Sequence, residues 1–240
     1  MLPGFSLIIP AYNEADRIGQ SLSDALDFLE RNAPESEVIV VDDGSTDATS
    51  EVVRDVFARR TKLATRLIRH APNRGKGAAV RDGLLNAARD VALFSDADFS
   101  TPIDEAPKLL EPIFAGELDV AFGSRALDRR LIGNRQAWYR EQGGRFFNLL
   151  VRIATGLPYW DTQCGFKAFR LEAFRPVLQK AQSDGFGFDV ELLYLAERAG
   201  LLMREIPVRW NHCDGSKVHF VHDSWQMLQE IVVLRSRSAT

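Results

Sequence analysis

Cysteine is scarce in this chain. Cys164 and Cys213 are the two in 240 residues, too few and too isolated for a disulfide framework or a structural zinc site, which points to a reducing compartment and a cytoplasmic location. A long apolar run is also missing. The longest, Phe146 to Tyr159, is broken by Arg152 and falls short of the roughly 20 residues needed to cross a bilayer. Met1-Leu2-Pro3-Gly4 leads straight into a strand pattern, with no basic segment followed by an apolar one, so no secretory signal is legible. Charge of one sign is lacking as well, since the net charge is -3, which argues against nonspecific nucleic-acid binding by the whole surface. Two nucleotide fingerprints are absent. No G-x-G-x-x-G follows the first strand, and Gly75-Lys76-Gly77 lacks both the upstream Gly and the downstream Ser or Thr of a Walker loop, so a cofactor dehydrogenase and a P-loop enzyme are disfavoured.

What remains is an ordinary globular composition, 45% hydrophobic and 26% charged, long enough for one α/β domain spanning 1–240. Strand patterns at Ser6–Pro10, Glu37–Val41, Thr65–His70, Val91–Ser95 and Asp119–Gly123 alternate with helical patterns at Glu14–Asn32, Asp47–Arg60, Asn73–Arg89 and Asp104–Ala115. That rhythm predicts a mostly parallel sheet covered on both faces. After Gly123 it breaks, dividing the chain into a nucleotide-type half, 1–125, and a less regular half, 126–240. The second half is expected to hold helices over Trp138–Thr155, Leu171–Gln179, Phe188–Ala199 and His219–Arg235, with a strand at Leu202–Trp210 whose Pro207 suits a sheet edge.

Two acidic pairs follow strands: Asp42-Asp43, and Asp96-Ala97-Asp98. At the carboxyl edge of a parallel sheet, where ligands bind, two carboxylates one residue apart can face the same way and offer hard oxygens to a divalent cation. An Asp-rich turn that hydrogen-bonds its own backbone gives the same pattern. Tyr12 could stack on a base and Asp43 could accept from a base N–H, or the two could pack over the sheet end and cap a helix. Arg74 and Lys76 at a helix start suit phosphate oxygens, and Arg125 is a third cation on the same edge. His212, His219 and His222 cluster with Cys213, yet no pair has ligand spacing with a third and fourth ligand, so groove or surface histidines are expected rather than zinc. Between Arg125 and Arg152 seven arginines face only Asp128 and Glu141, an excess of five positive charges. Within that stretch Phe146, Leu149, Leu150, Ile153 and Leu157 repeat at helical spacing opposite Arg145, Asn148 and Arg152. Such a stripe fits a core face, and with Arg135, Trp138, Tyr139 and Arg140 beside it, also a helix lying on an anionic membrane.

Taken in order, Leu7-Ile8-Ile9-Pro10-Ala11-Tyr12-Asn13-Glu14, Val40-Val41-Asp42-Asp43-Gly44-Ser45-Thr46-Asp47, Asn73-Arg74-Gly75-Lys76-Gly77 and Asp96-Ala97-Asp98 resemble family 2 glycosyltransferases of the GT-A fold. Asp161-Thr162-Gln163-Cys164-Gly165-Phe166-Lys167, Phe188 to Leu193 and Asp214-Gly215-Ser216-Lys217 are similar to the dolichyl-phosphate (polyprenyl-phosphate) β-glucosyltransferase branch. Eukaryotic relatives carry an N-terminal membrane anchor and other bacterial relatives carry C-terminal transmembrane helices; no such segment is legible in these 240 residues. The resemblance implies an inverting transfer of glucose from UDP-glucose to a polyprenyl phosphate at the membrane face, assisted by Mg2+ or Mn2+. It assigns Pro10, Tyr12, Glu14, Val41, Asp43, Arg74, Lys76, Asp96, Ala97 and Arg125 to the nucleotide sugar, and Asp96 and Asp98 to the metal. Asp98, Asp161 and Lys217 become candidate catalytic residues, with Arg135, Arg140, Asp189, Glu191 and Ser216 on the acceptor side. Orienting Lys167 or Lys217 is the alternative role for Asp161. A GDP-mannose donor, a saccharide hydroxyl acceptor and a nucleotide-sugar-binding module without turnover are the competing readings.

Overall fold

A computed structural model describes residues 1–59, 62–133, 138–211 and 230; the side chains of 138–142 and 145–147 lie outside the description. The strands are β1 (Ser6–Ala11), β2 (Glu37–Asp42), β3 (Ala64–Arg69), β4 (Val91–Ser95), β5 (Val120–Ser124), β6 (Phe166–Arg170) and β7 (Met203–Pro207). The helices are α1 (Ala15–Asn32), α2 (Thr49–Arg59), α3 (Lys76–Leu85), α4 (Ala106–Phe114), α5 (Trp138–Thr155), α6 (Leu171–Lys180) and α7 (Phe188–Arg198). All seven strands join one sheet in the order β3-β2-β1-β4-β6-β5-β7. Every pairing is parallel except those of β6, which runs antiparallel to both β4 and β5. β7, ending at Pro207, is an edge strand as its proline requires.

Alternation along the strands sorts the core into two layers. Leu7 and Ile9 of β1 face one way, with Val38 and Val40 of β2, and pack under α1, α2 and α4. Ile8, Ile39 and Val41 face the other way and meet α3, α6 and α7. α1 shows why such a helix forms and where it stops. Ile18, Leu22, Ala25, Leu26 and Leu29 fall on one buried stripe, and the chain leaves the helix at Ala33, before Pro34, because a residue preceding proline is pushed out of the helical region.

Several elements end earlier than their patterns predict. α3 stops at Leu85 rather than Arg89, and the helix expected from Asp104 begins as a 3-10 turn at Ile103–Glu105 before α4. The larger difference is in α5. The expected apolar stripe does not pack as one face: Leu149 and Ile153 are 48% and 69% exposed, whereas Val151 is fully buried against Val190 of α7. Leu157, beyond the helix, is buried as expected. Ser216, Lys217, the histidines 212, 219 and 222, the expected final helix, and Arg135 lie outside the described residues, as does the side chain of Arg140.

Candidate active site

Strand order reverses on either side of β1, between β2 and β4, and such a switch point opens a crevice at the carboxyl edge. Tyr12, Asp43, Asp96 and Arg125 all follow directly on the ends of β1, β2, β4 and β5. Because β6 is antiparallel, its start lies at that same edge: Phe166 pairs with Ser95, and the Asp96 N–H donates to the Gly165 carbonyl at 3.0 Å. Gly165 leaves room for the Asp96 carboxylate, which a Cβ there would force to shift.

The first loop is tied to the second. Asn13 takes a left-handed φ of 54°, its N–H donates to Ser45 Oγ at 2.9 Å, and its Oδ1 accepts from the Thr46 N–H at 2.8 Å. Tyr12 is thereby held 42% exposed above the sheet end, as a stacking platform needs. Pro10 pairs in register with Val41, and both are buried. Glu14 turns away to bind Arg17, Nη2 to Oε1 at 2.8 Å.

Asp43 is buried and organises the third loop. Its Oδ1 accepts from the Arg74 N–H at 2.9 Å and its Oδ2 from the Gly75 N–H at 2.8 Å. His70 Nδ1 sits 2.7 Å from the same Oδ1. Arg74 reaches Asp82 at 2.7 Å. The amides opening α3 are not left open: those of Gly77 and Ala78 donate to the Asp184 carbonyl at 2.8 and 3.4 Å. Gly75, with φ of 102°, permits that approach, because a Cβ would strike the same carbonyl.

Lys76 crosses the crevice to Asp96, Nζ to Oδ1 at 2.7 Å. Burial pulls its pKa down, but Asp96, with Asp189 and Asp98 behind it, raises it above the ordinary lysine value. Asp98 Oδ1 accepts the Ser100 N–H at 2.9 Å, an Asx turn that aims the loop. Both carboxylates remain partly exposed, while Ala97 between them is buried. Hard oxygens, one of them already serving a cation, fit Mg2+ or Mn2+. Among the described residues no group of three or more His, Cys, Asp or Glu side chains forms a complete metal cage.

The carboxylates of the second half face inward. Asp161 accepts from Arg125 Nε at 2.7 Å, Nη2 at 2.8 Å and the backbone N–H at 2.9 Å; it pairs with Arg125, not with Lys167. Burial pushes the Asp161 carboxyl up, but Arg125 outweighs it and holds the group below the usual carboxylate range. Asp189, placed on the acceptor side by the resemblance, is buried and bound to Lys167. Burial raises the Asp189 pKa despite Lys167 and Lys76. Glu191, also buried, accepts from the Gln182 and Ser183 N–H groups at 2.9 and 2.7 Å. Lys167 itself is 0% exposed and donates to the Cys164 carbonyl at 2.6 Å. Burial pushes the Cys164 thiol up to about 12, so it is not a nucleophile.

The model of glycosyl transferase family 2 matches residues 6–178. The chain belongs to that family and is a glycosyltransferase. Among curated relatives, the dolichyl-phosphate β-glucosyltransferase of Saccharomyces cerevisiae is 36% identical, over 96% of this chain and 73% of that protein. The Drosophila melanogaster protein of the same name is 39% identical, over 89% of this chain and 68% of that one. Among solved structures, glucosyl-3-phosphoglycerate synthase from Mycobacterium tuberculosis in complex with UDP superposes with a TM-score of 0.69 at 22% identity, covering 96% of this chain and 79% of that chain. The same synthase has been crystallised with Mn2+, UDP-glucose and glycerol 3-phosphate. The transferase therefore has the α/β GT-A fold. Gly165, Lys167 and Glu205 are structural members of its site that carry no local sequence signal for a ligand role. Glu205 Oε1 accepts from Ser124 Oγ at 2.6 Å and the Asp161 N–H at 2.8 Å.

Proposed function

We propose that this transferase moves glucose from UDP-glucose to a polyprenyl phosphate and inverts the anomeric centre to give a β-linked lipid-phosphate sugar. The observation that carries the reading is the two-point lock of Asp161 onto Arg125. A hydroxyl acceptor must lose a proton during attack, but a phosphate monoester, with a second pKa of about 6, is mostly dianionic at neutral pH. Asp161, held ionised and bonded through both oxygens, is a poor general base, and a phosphate acceptor needs none. The acceptor oxygen forms a bond to the anomeric carbon as the bond from that carbon to UDP breaks, and UDP leaves with the electron pair.

Tyr12 stacks on the uracil, with Pro10 and Val41 beneath it; Asp43 shapes the loop beside it, and Glu14 anchors the start of α1. Asp96 and Asp98 would hold Mg2+ or Mn2+ together with the donor diphosphate, as that ion commonly binds through one or two carboxylates and substrate phosphates. When bound, the metal supplies Lewis-acid stabilisation of charge on the departing UDP. Arg74, Arg125 and Lys217 add positive charge for the leaving group or the acceptor phosphate, and Arg135, Arg140 and Ser216 belong to the acceptor side. The 126–240 half is the acceptor-binding half of one domain.

The lipid is reached from an anionic bilayer surface. No described helix is long and apolar enough to cross a membrane. Instead α5 presents Leu149 and Ile153, with Arg152 stacked 3.9 Å from the centroid of the exposed Trp160 ring, inside the arginine-rich stretch. Apolar side chains beside basic ones suit an interface, where each basic group contributes about 1 kcal/mol. The deciding experiment measures transfer by purified protein from UDP-glucose and GDP-mannose to a polyprenyl phosphate and to a saccharide acceptor, with and without metal. Glucose transfer to the lipid phosphate supports the reading; turnover with GDP-mannose or onto the saccharide replaces it.

A further inference from the structure

Lys76 lies in a slot of unusual composition. Its Nζ is 2.7 Å from Asp96 Oδ1, 5.6 Å from the centroid of Phe94 and 5.9 Å from that of Phe188, and Asp189 and Asp98 add to its attraction. Asp189 is fixed from behind by Lys167, a lysine with no exposure whose second bond goes to the Cys164 carbonyl. An unpaired ammonium at that depth is strongly disfavoured, so the Lys167–Asp189 pair is a fixed part of the site. Asp96 pairs with Lys76, Asp189 pairs with Lys167, and Asp189 also attracts Lys76. Lys76 is partly exposed, and its ammonium neutralises one oxygen of a carboxylate assigned to the metal.

We propose that Lys76 is an internal cation exchanged for the divalent metal: it holds Asp96 before the ion arrives and gives that oxygen up when the ion binds. Its alternative anions are Asp189 and the incoming diphosphate. Metal and donor then bind in concert, because the donor diphosphate receives the ammonium that the metal displaces. Lys76 acts as a positioning residue for Asp96 and a brake on metal binding without donor. The inference rests on the assignment of Asp96 and Asp98 to the metal.

The test is Mn2+ binding, followed by electron paramagnetic resonance and calorimetry, with and without UDP. The proteins are the wild type, Lys76→Met, Asp189→Asn and the double variant. Without UDP, Lys76→Met is expected to bind Mn2+ about tenfold or more tightly, since a competing cation is gone, and the gain in Mn2+ affinity given by UDP should shrink. Asp189→Asn keeps an acceptor for Lys167. It should weaken Mn2+ binding in the wild-type background and leave it unchanged beside Lys76→Met, a non-additivity that a general field effect would not produce. Equal or weaker Mn2+ binding by Lys76→Met, with Mn2+ still bound, overturns the exchange role alone. If Mn2+ binds none of the proteins even with UDP, the metal assignment fails and the exchange falls with it. Should Asp189→Asn not fold, the comparison of wild type with Lys76→Met, each plus and minus UDP, decides the matter.

Discussion

Arg125 and Asp161 meet through two parallel contacts, Nε to Oδ2 at 2.7 Å and Nη2 to Oδ1 at 2.8 Å, and the arginine also lies 5.7 Å from the centroid of the Trp210 ring. The pair joins the end of β5 to the segment leading into β6. Planar two-point recognition of a carboxylate is beyond a lysine, so Arg125→Lys is not a conservative change here.

Replacing Arg125 by Met leaves a carboxylate buried without its partner, which typically costs about 3–5 kcal/mol. The cost has a pH signature. With Arg125 present, the Asp161 pKa is lowered on folding, so its contribution is complete above the unfolded value of about 3.9 and is lost as pH falls through the folded value. In the variant burial is opposed only by the backbone N–H at position 125 and by Lys167, so the Asp161 carboxyl rises and protonation relieves the penalty. Urea unfolding should therefore show a large stability gap between wild type and Arg125→Met at pH 7 that narrows towards pH 4. A gap of constant size would place the effect elsewhere than in this pair.

Asp98→Ala removes a partly exposed carboxylate and no core packing, and it is expected to abolish transfer with an unchanged thermal midpoint. Normal turnover of that variant at limiting metal would refute the role given to Asp98.

Asp43 receives the Arg74 and Gly75 amides and His70. Asp43→Ala therefore unties the loop that borders the uracil site. With a single well-made polar contact worth about 1–3 kcal/mol, UDP affinity measured by calorimetry should fall roughly tenfold or more. An unaltered dissociation constant would mean that the base binds elsewhere.

Leu149→Glu with Ile153→Glu should prevent sedimentation with anionic vesicles while leaving UDP affinity as it was. The same variant should lose more activity on a long polyprenyl phosphate in bilayers than on a short soluble analogue. Equal losses on both acceptors would remove the membrane role from α5. Raising salt should release the wild type, because the arginines act across a Debye length of about 8 Å under physiological conditions.

The first half was the more legible in the sequence because its signals are local. Alternating apolar residues, a turn and an acidic pair place Asp43 and Asp96 at strand ends without knowledge of any distant contact. The missing part is what β6 does. No neighbour in sequence announces that Gly165 must back onto Asp96 or that Lys167 will meet Asp189. One clue was available: Lys167 sits in the run Phe166-Lys167-Ala168-Phe169, whose other members are apolar, and a lysine inside a buried strand demands a carboxylate. For α5 the helical period was legible, but of the two faces it allowed, core or membrane surface, exposed Leu149 and Ile153 do not fit the core one. Periodicity locates an apolar stripe, but only packing against Val190 decides that Val151 faces inward and Ile153 does not.

The reversed strand β6 also sets when the enzyme can come into being. β4 and β5 are consecutive in the chain yet never touch each other in the sheet, since β6 stands between them. On a ribosome, residues 91–124 emerge well before 166–170, and until then β4 and β5 present bare edges of the kind that invite wrong pairing. Asp96 meanwhile lacks both the Gly165 carbonyl and the wall that Gly165 forms. The contact that seats Asp96 at the crevice therefore forms only once the chain through Gly165 is in place.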